Sequence, residues 1–240
     1  MGDRLQERLQ DKPQDRLQDR LRKGLQDGEM RRRIVMTIVG VCVMGFSIGL
    51  FSKSGCGFDP FQVFCHGVWN FINARVGGGL SFGTFYTALN ALLLVLIFFL
   101  NRRKIGLGTL INILLVGHMA DASEYIADQL CPEPGMAARI LFMLAGIVIM
   151  CFASALYFTA DLGVSTYDAV ALTVSERTSA PFRWCRIISD LLCVLIGWRL
   201  GAAVGIGTLV TAFFMGPLID FFNRTVAIPL RKGNAVKRTK

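Results

Sequence analysis

The chain has 240 residues, 53% of them hydrophobic, and a mean hydropathy of +0.49, which sets it apart from soluble domains. Its formal charge of +9 is confined to the tails: residues 1–33 hold ten basic and seven acidic side chains, residues 224–240 hold six basic and none acidic, and residues 34–223 hold ten of each. Basic tails around a neutral apolar body read as cytoplasmic, membrane-proximal segments. With no basic face interleaved with aromatics, nucleic acid is excluded as a partner.

Residues 1–33 carry a tetrapeptide repeat, from Asp3-Arg-Leu-Gln and Glu7-Arg-Leu-Gln to Asp19-Arg-Leu-Arg. There is no apolar h-region, so it does not read as a secretory signal. Leu17, Leu21 and Leu25 recur every four residues, but Pro13 would interrupt a helix. A disordered or loosely helical mixed-charge tail is expected, with a peripheral amphipathic helix as the alternative.

Six apolar runs then approach the roughly 20 residues a membrane crossing requires: 34–52, 82–100, 105–123, 139–160, 185–200 and 204–222. The fifth is the weakest, since it contains Arg186 and Asp190. Two further runs, 60–73 and 166–175, are too short to cross and fit re-entrant, half-spanning or interfacial helices.

The order long, short, long, long occurs twice, with matched residues. Gly57, Asp59, Gln62 and Phe64 return as Gly163, Ser165, Asp168 and Val170. Gly108, Thr109, Gly117 and Asp121 return as Gly207, Thr208, Gly216 and Asp220. Three crossings per half would invert the second copy relative to the first. Positive-inside bias agrees: Arg31–Arg33, Arg102–Lys104, Arg177 and Arg183 then fall on one side with the C-terminal tail, and the acidic loop from Asp128 to Glu133 on the other. The expected organisation is a cytoplasmic tail (1–33), a first membrane repeat (34–128), a second (137–223) and a basic cytoplasmic tail (224–240).

The block Asp59-Pro-Phe-Gln-Val-Phe-Cys-His-Gly67, with Gly106-Leu-Gly-Thr109 and its copy Gly205-Ile-Gly-Thr208, resembles the YczE/YyaS/YitT-like family of bacterial integral membrane proteins over roughly 34–223. The resemblance implies a polytopic inner-membrane protein and supplies no substrate or reaction. The second copy departs from the block, with Ser165-Thr166 in place of Asp59-Pro60.

Asp59 and Ser165 stand just before the short helices, where either is a good N-cap and Pro60 suits the first helical position. Capping alone accounts for both; the sharper reading has two half-helix N-termini facing each other around a solute, with a cation, proton or zwitterion suiting Asp59 better than an anion. Gln62 and Asp168, each after an aromatic (Phe61 or Tyr167), and Asn90 and Asp190, matched in the third segments, complete the candidate substrate-binding set of Asp59, Gln62, Tyr167, Asp168, Asn90 and Asp190. An Arg186–Asp190 ion pair one turn apart is the plainer account of Asp190, and inter-helix hydrogen bonding that of Asn90. Structural roles fall to Gly57, Pro60, Gly163, Ser165, Gly117, Gly216, Asp121 and Asp220, the glycines by close helix approach. Thr109, Asn112, Thr208 and Thr211 either line a path or bond back to their own helices.

Neither His66 nor His118 has a partner at metal spacing, and no P-loop, GxSxG or HExxH is present, so no metal, cofactor or catalytic set is expected. A disulfide among Cys56, Cys65 and Cys131 is an option if those loops face outward. The chain thus reads as an all-α membrane protein, six transmembrane helices in an inverted 3+3 repeat with a short helix per half. The function expected is a small-solute transporter working by alternating access. The alternative is a non-transporting accessory or scaffold protein. The partners expected are the lipid bilayer and a small solute, and a homo-oligomer stays open.

Overall fold

The computed structural model describes residues 13–101, 105–178 and 182–232. The first part of the tetrapeptide repeat, Arg102–Lys104, residues 179–181 and the last eight residues lie outside that range. Described residues outside the loops are helical: α1 (Pro13–Ser54), α2 (Pro60–Val76), α3 (Phe82–Asn101), α4 (Leu107–Leu130), α5 (Met136–Ala160), α6 (Thr166–Thr178), α7 (Phe182–Arg199) and α8 (Ile206–Phe222), the last continuing through a π-helical turn, Asn223–Ala227, into α9 (Ile228–Lys232).

α1 is a single helix of 42 residues that runs from the tail into the first apolar run. Pro13 is its first described residue, so whether Pro13 interrupts a helix through the repeat lies outside the described residues. Among the described residues, four stretches are long and apolar enough to cross a membrane: Asp27–Ser54, Phe82–Asn101, Met136–Ala160 and Ile206–Lys232. α4 has the length but carries Asp121, Glu124 and Asp128, and α7 carries Arg186 and Asp190 among its 18 residues.

α1 is the central post and packs against both α4 and α5. Small residues permit it: a side-chain carbon at Gly45 would meet Val116 O at 2.5 Å, and one at Gly49 would meet Ser123 Cβ at 2.5 Å. The core formed there contains Val41, Ile48, Phe51, Val116, Met150, Cys151 and Tyr157, all buried. Midway along α1, Arg33 Nε donates to Ala160 O at 2.6 Å and its guanidinium also binds Asp161, closing the C-terminus of α5. The seven cysteines are all free, so the disulfide option falls; Cys65, Cys151 and Cys185 are buried as small apolar groups.

The halves are joined by crossed contacts at matched residues. The loop before α2 is held by the start of α8: Gly207 N–H donates to Cys56 O at 2.9 Å. The loop before α6 is held by the start of α4: Gly108 N–H donates to Leu162 O at 2.8 Å. Gly57 (φ 105°) and Gly163 (φ 122°) make the same left-handed bend in each loop, where a side chain would be strained. A Cβ at Gly57 would stand 2.6 Å from Thr208 Oγ1, and one at Gly163 would stand 2.7 Å from Thr109 Oγ1. Thr109 accepts from Gly106 N–H and donates to Val164 O at 2.7 Å; Thr208 accepts from Gly205 N–H. Both threonines therefore bond back to the start of their own helix, and Thr109 also clamps the opposite half's loop through Val164.

Helix packing crosses in the same way: α2 lies on α7, and α6 lies on α3. Gly67 and Gly197 bring the α2 and α7 backbones together; a Cβ at Gly197 would sit 2.5 Å from the Val63 carbonyl carbon and 2.8 Å from Phe64 N. Gly216, expected to serve a similar approach, has nothing within 4 Å of an added Cβ, because α7 does not come up to α8 there. Gly197→Ala is expected to destabilise the protein by about 1–3 kcal/mol through overpacking against immovable backbone. Gly216→Ala is expected to be neutral or slightly stabilising. Thermal unfolding of the purified protein in detergent distinguishes them, and equal effects would contradict this packing.

Candidate functional site

α2 and α6 point their N-termini at each other. Phe61 and Tyr167, the matched aromatics of the two short helices, stack with ring centroids 4.6 Å apart at 16°. Each helix start is capped as its sequence predicts. Asp59 accepts from Phe61 N–H at 3.2 Å and Gln62 N–H at 3.3 Å through Oδ1. Ser165 Oγ accepts from Asp168 N–H at 3.1 Å and donates to Asp168 Oδ2 at 2.7 Å.

A cavity of about 330 Å³ opens beside these helix ends, in the lower part of the roughly 300–1,000 Å³ range of small-molecule sites. All six residues of the sequence-derived set, Asp59, Gln62, Asn90, Tyr167, Asp168 and Asp190, lie on its wall. Asn112 and Thr211, named as path-lining candidates, are there too. The residues come from both halves and from α1 through α8, so no single segment contains the site.

Arg186 organises the polar side of the wall. Its guanidinium bonds to Asp168, reaches Asp190 at 3.3 Å from Nε, and lies over the Tyr167 ring at 4.5 Å. Tyr167 in turn donates its hydroxyl to Asp190 Oδ1 at 2.6 Å. The local Arg186–Asp190 pair expected from spacing is therefore present, but it is one edge of a network that also includes α6. Asn90 ties the other half in: its Nδ2 donates to Tyr86 O at 2.9 Å, and its Oδ1 accepts from the Thr166 hydroxyl. Arg186 as a link to Asp168, and Tyr86 and Tyr157 as wall residues, were not picked out from the sequence. Arg186 left a signal, a guanidinium inside an apolar run; the tyrosines left only their place one turn from other wall residues.

The structural residues fall into two different settings. In the α3–α4 seam, a Cβ at Gly117 would meet Gly83 O at 2.7 Å; both carboxylate oxygens of Asp121 accept from Gly83 N–H at 2.9 Å, and the Thr87 hydroxyl donates to Ile113 O at 3.2 Å. Asp121 thus caps α3. Its counterpart Asp220 pairs with Arg224 of its own helix at 2.7 Å, and among the described residues it makes no bond to α7. The cavity reaches this unsealed side, where Thr211, Met215 and Gly216 line it opposite Arg186 and Asp190. His66 lies off the cavity, packed as an aromatic between Phe58 and Phe82 at 4.0 and 4.1 Å.

The class these features define is a multi-pass helical membrane protein with a cavity among its helices that carries charged and polar side chains on its wall. Residues 31–224 match the family described as "Family of unknown function (DUF6198)", and the chain belongs to that family. It is similar to an "Uncharacterized protein" of Haemophilus influenzae, 28% identical over 196 residues that span 82% of this chain and 85% of the relative. It is also similar to the "Uncharacterized membrane protein YczE" of Bacillus subtilis, 24% identical, covering 80% of this chain and 86% of the relative. The "Uncharacterized protein YyaS" of the same organism is 22% identical, covering 77% and 89%. The resemblance read from the Asp59-Pro60 block therefore holds. No solved structure matches the chain significantly.

Arg186→Met leaves Asp168 and Asp190 without their cation and is expected to cost about 1–3 kcal/mol. Adding Asp168→Asn and Asp190→Asn to that variant is expected to restore most of the loss. Melting temperatures of the single and triple variants check this, and a triple variant weaker than the single one would contradict the network.

Proposed function

We propose that the protein is a small-solute transporter or permease that works by alternating access, with the cavity as its solute site. The observation that carries this reading is the unequal state of two matched seams. The α3–α4 seam is shut by Gly83, Gly117 and the Asp121 cap, while the α7–α8 seam, with Gly216 and Asp220 at the matched positions, is open beside the cavity. Exchanging the two conformations between the halves would shut one entrance and open the other around a fixed site.

The reading takes the chain as six crossings in an inverted 3+3 repeat, with α2 and α6 as half-spanning helices that meet at the membrane midplane. The crossed loop clamps, the α2–α7 and α6–α3 pairings and the Phe61–Tyr167 stack support it, since each has its matched partner in the other half. Positive-inside bias then puts both termini on the cytoplasmic side of the inner membrane and makes the open seam face the cytoplasm. Pro217, inside α8, and the π turn that follows it give this seam a bending point that α4 lacks. The reading assigns the protein no catalytic role.

Purified full-length protein in proteoliposomes is expected to move at least one solute from a panel of amines, amino acids, sugars, carboxylates and inorganic ions. Asp168→Asn is expected to lower the initial rate by about tenfold or more while the fold persists. A protein that moves nothing in the panel, or whose transport ignores Asp168, would overturn the reading in favour of an accessory or scaffold role.

A further inference from the structure

The charges on the cavity wall do not balance. Asp59, Asp168 and Asp190 face one guanidinium, Arg186, and that guanidinium is spent on Asp168 and Asp190. Asp59 is left with backbone donors at a single oxygen, Oδ1, and among the described residues no cation pairs with it. A carboxylate removed from water without a counter-charge is unfavourable unless something positive joins it.

A second observation concerns Gln62. It is 4% exposed, it lines the cavity, and its Oε1 has no hydrogen-bond partner. Three residues after an N-cap, a glutamine has a partner within reach, the cap's own N–H. Its matched residue Asp168 does bond back, to Ser165. Gln62 does not, so a buried carbonyl acceptor near Asp59 is left without a donor among the described residues.

An acceptor without a donor and a carboxylate without a cation call for one group that supplies both charge and N–H bonds. The remaining wall is aromatic: Phe61 and Tyr86 meet edge to face with centroids 6.3 Å apart, and the neighbouring Tyr167 already holds a guanidinium on its face. Such walls suit an ammonium group. They do not suit a hard metal ion, which needs about six or more oxygens.

We propose that the cavity binds a protonated small amine, its ammonium group seated on Asp59 and donating to the Gln62 carbonyl, with Phe61 and Tyr86 against its carbon skeleton. This rests on the reading of the cavity as a solute site and names the class of solute.

The test is calorimetric titration of the full-length protein in lipid nanodiscs with n-butylammonium, putrescine, tetramethylammonium, butyrate and magnesium ion. Saturable binding of n-butylammonium or putrescine is expected, with no binding of butyrate. Asp59→Asn keeps the helix cap, since Asn caps as well as Asp, and is expected to weaken amine binding by about tenfold or more. Gln62→Leu is expected to weaken the primary amines and leave tetramethylammonium, which has no N–H to give, unchanged. Butyrate binding, magnesium binding that amines do not displace, amine binding indifferent to Asp59, or no binding at all would each overturn the proposal. Flux in proteoliposomes separates the two readings. Amine binding without flux upholds the ligand class and removes transport. Flux of a non-amine solute with no amine binding upholds transport and removes the ligand class.

Discussion

A chain that leaves helical conformation inside an apolar assembly must find partners for its backbone groups, because lipid offers none. The loops before α2 and α6 are the two places where this matters most here. Neither is satisfied by its own half of the chain alone: Gly55 N–H, Cys56 N–H and Asp161 N–H find partners nearby, but a carbonyl in each loop is bonded from the other half. Cys56 O is bonded by Gly207 and Leu162 O by Gly108, so each half closes the loop of the other. The rest follows from that exchange. It holds the short helices in place, brings Phe61 onto Tyr167, and assembles a cavity whose wall draws on both halves. It also explains the glycines at 57 and 163: a left-handed bend is needed there, with a threonine hydroxyl pressed against it.

Much of this was legible in the sequence because the chain carries two versions of the same unit. Comparing them singled out Asp59 with Ser165, Gln62 with Asp168 and Asn90 with Asp190, and the structure brings the six sequence-derived wall residues to one cavity. Matching works where polar residues interrupt apolar runs, since such residues are costly in lipid and face inward. It fails for Thr109, which looks like an ordinary hydroxyl near a helix start, while its bond to Val164 reaches a loop 55 residues away in sequence. Tyr86 and Tyr157 escaped notice for a related reason: an aromatic in an apolar helix gives no sign of which neighbour it faces.

The same comparison was misleading where the two copies have the same residues in different states. Gly117 and Gly216 are identical, yet one is pressed against α3 and the other touches nothing. Asp121 and Asp220 are identical, yet one caps a neighbouring helix and the other pairs within its own. Sequence predicts equal roles for equal residues; a fold can hold matched residues in two conformations at once.

The account turns on whether the shut and open seams are two settings of one device. Pulsed electron spin resonance measures this directly in full-length protein in nanodiscs, with spin labels on an otherwise cysteine-free background. One pair is Thr84 with His118, across the shut seam; the other is Trp184 with Pro217, its matched pair across the open one, and all four positions are exposed. The account predicts two distance populations for each pair that shift in opposite directions when solute or pH is changed, one seam opening as the other closes. Single, unchanging distances at both seams, or two seams that open and close together, would contradict it.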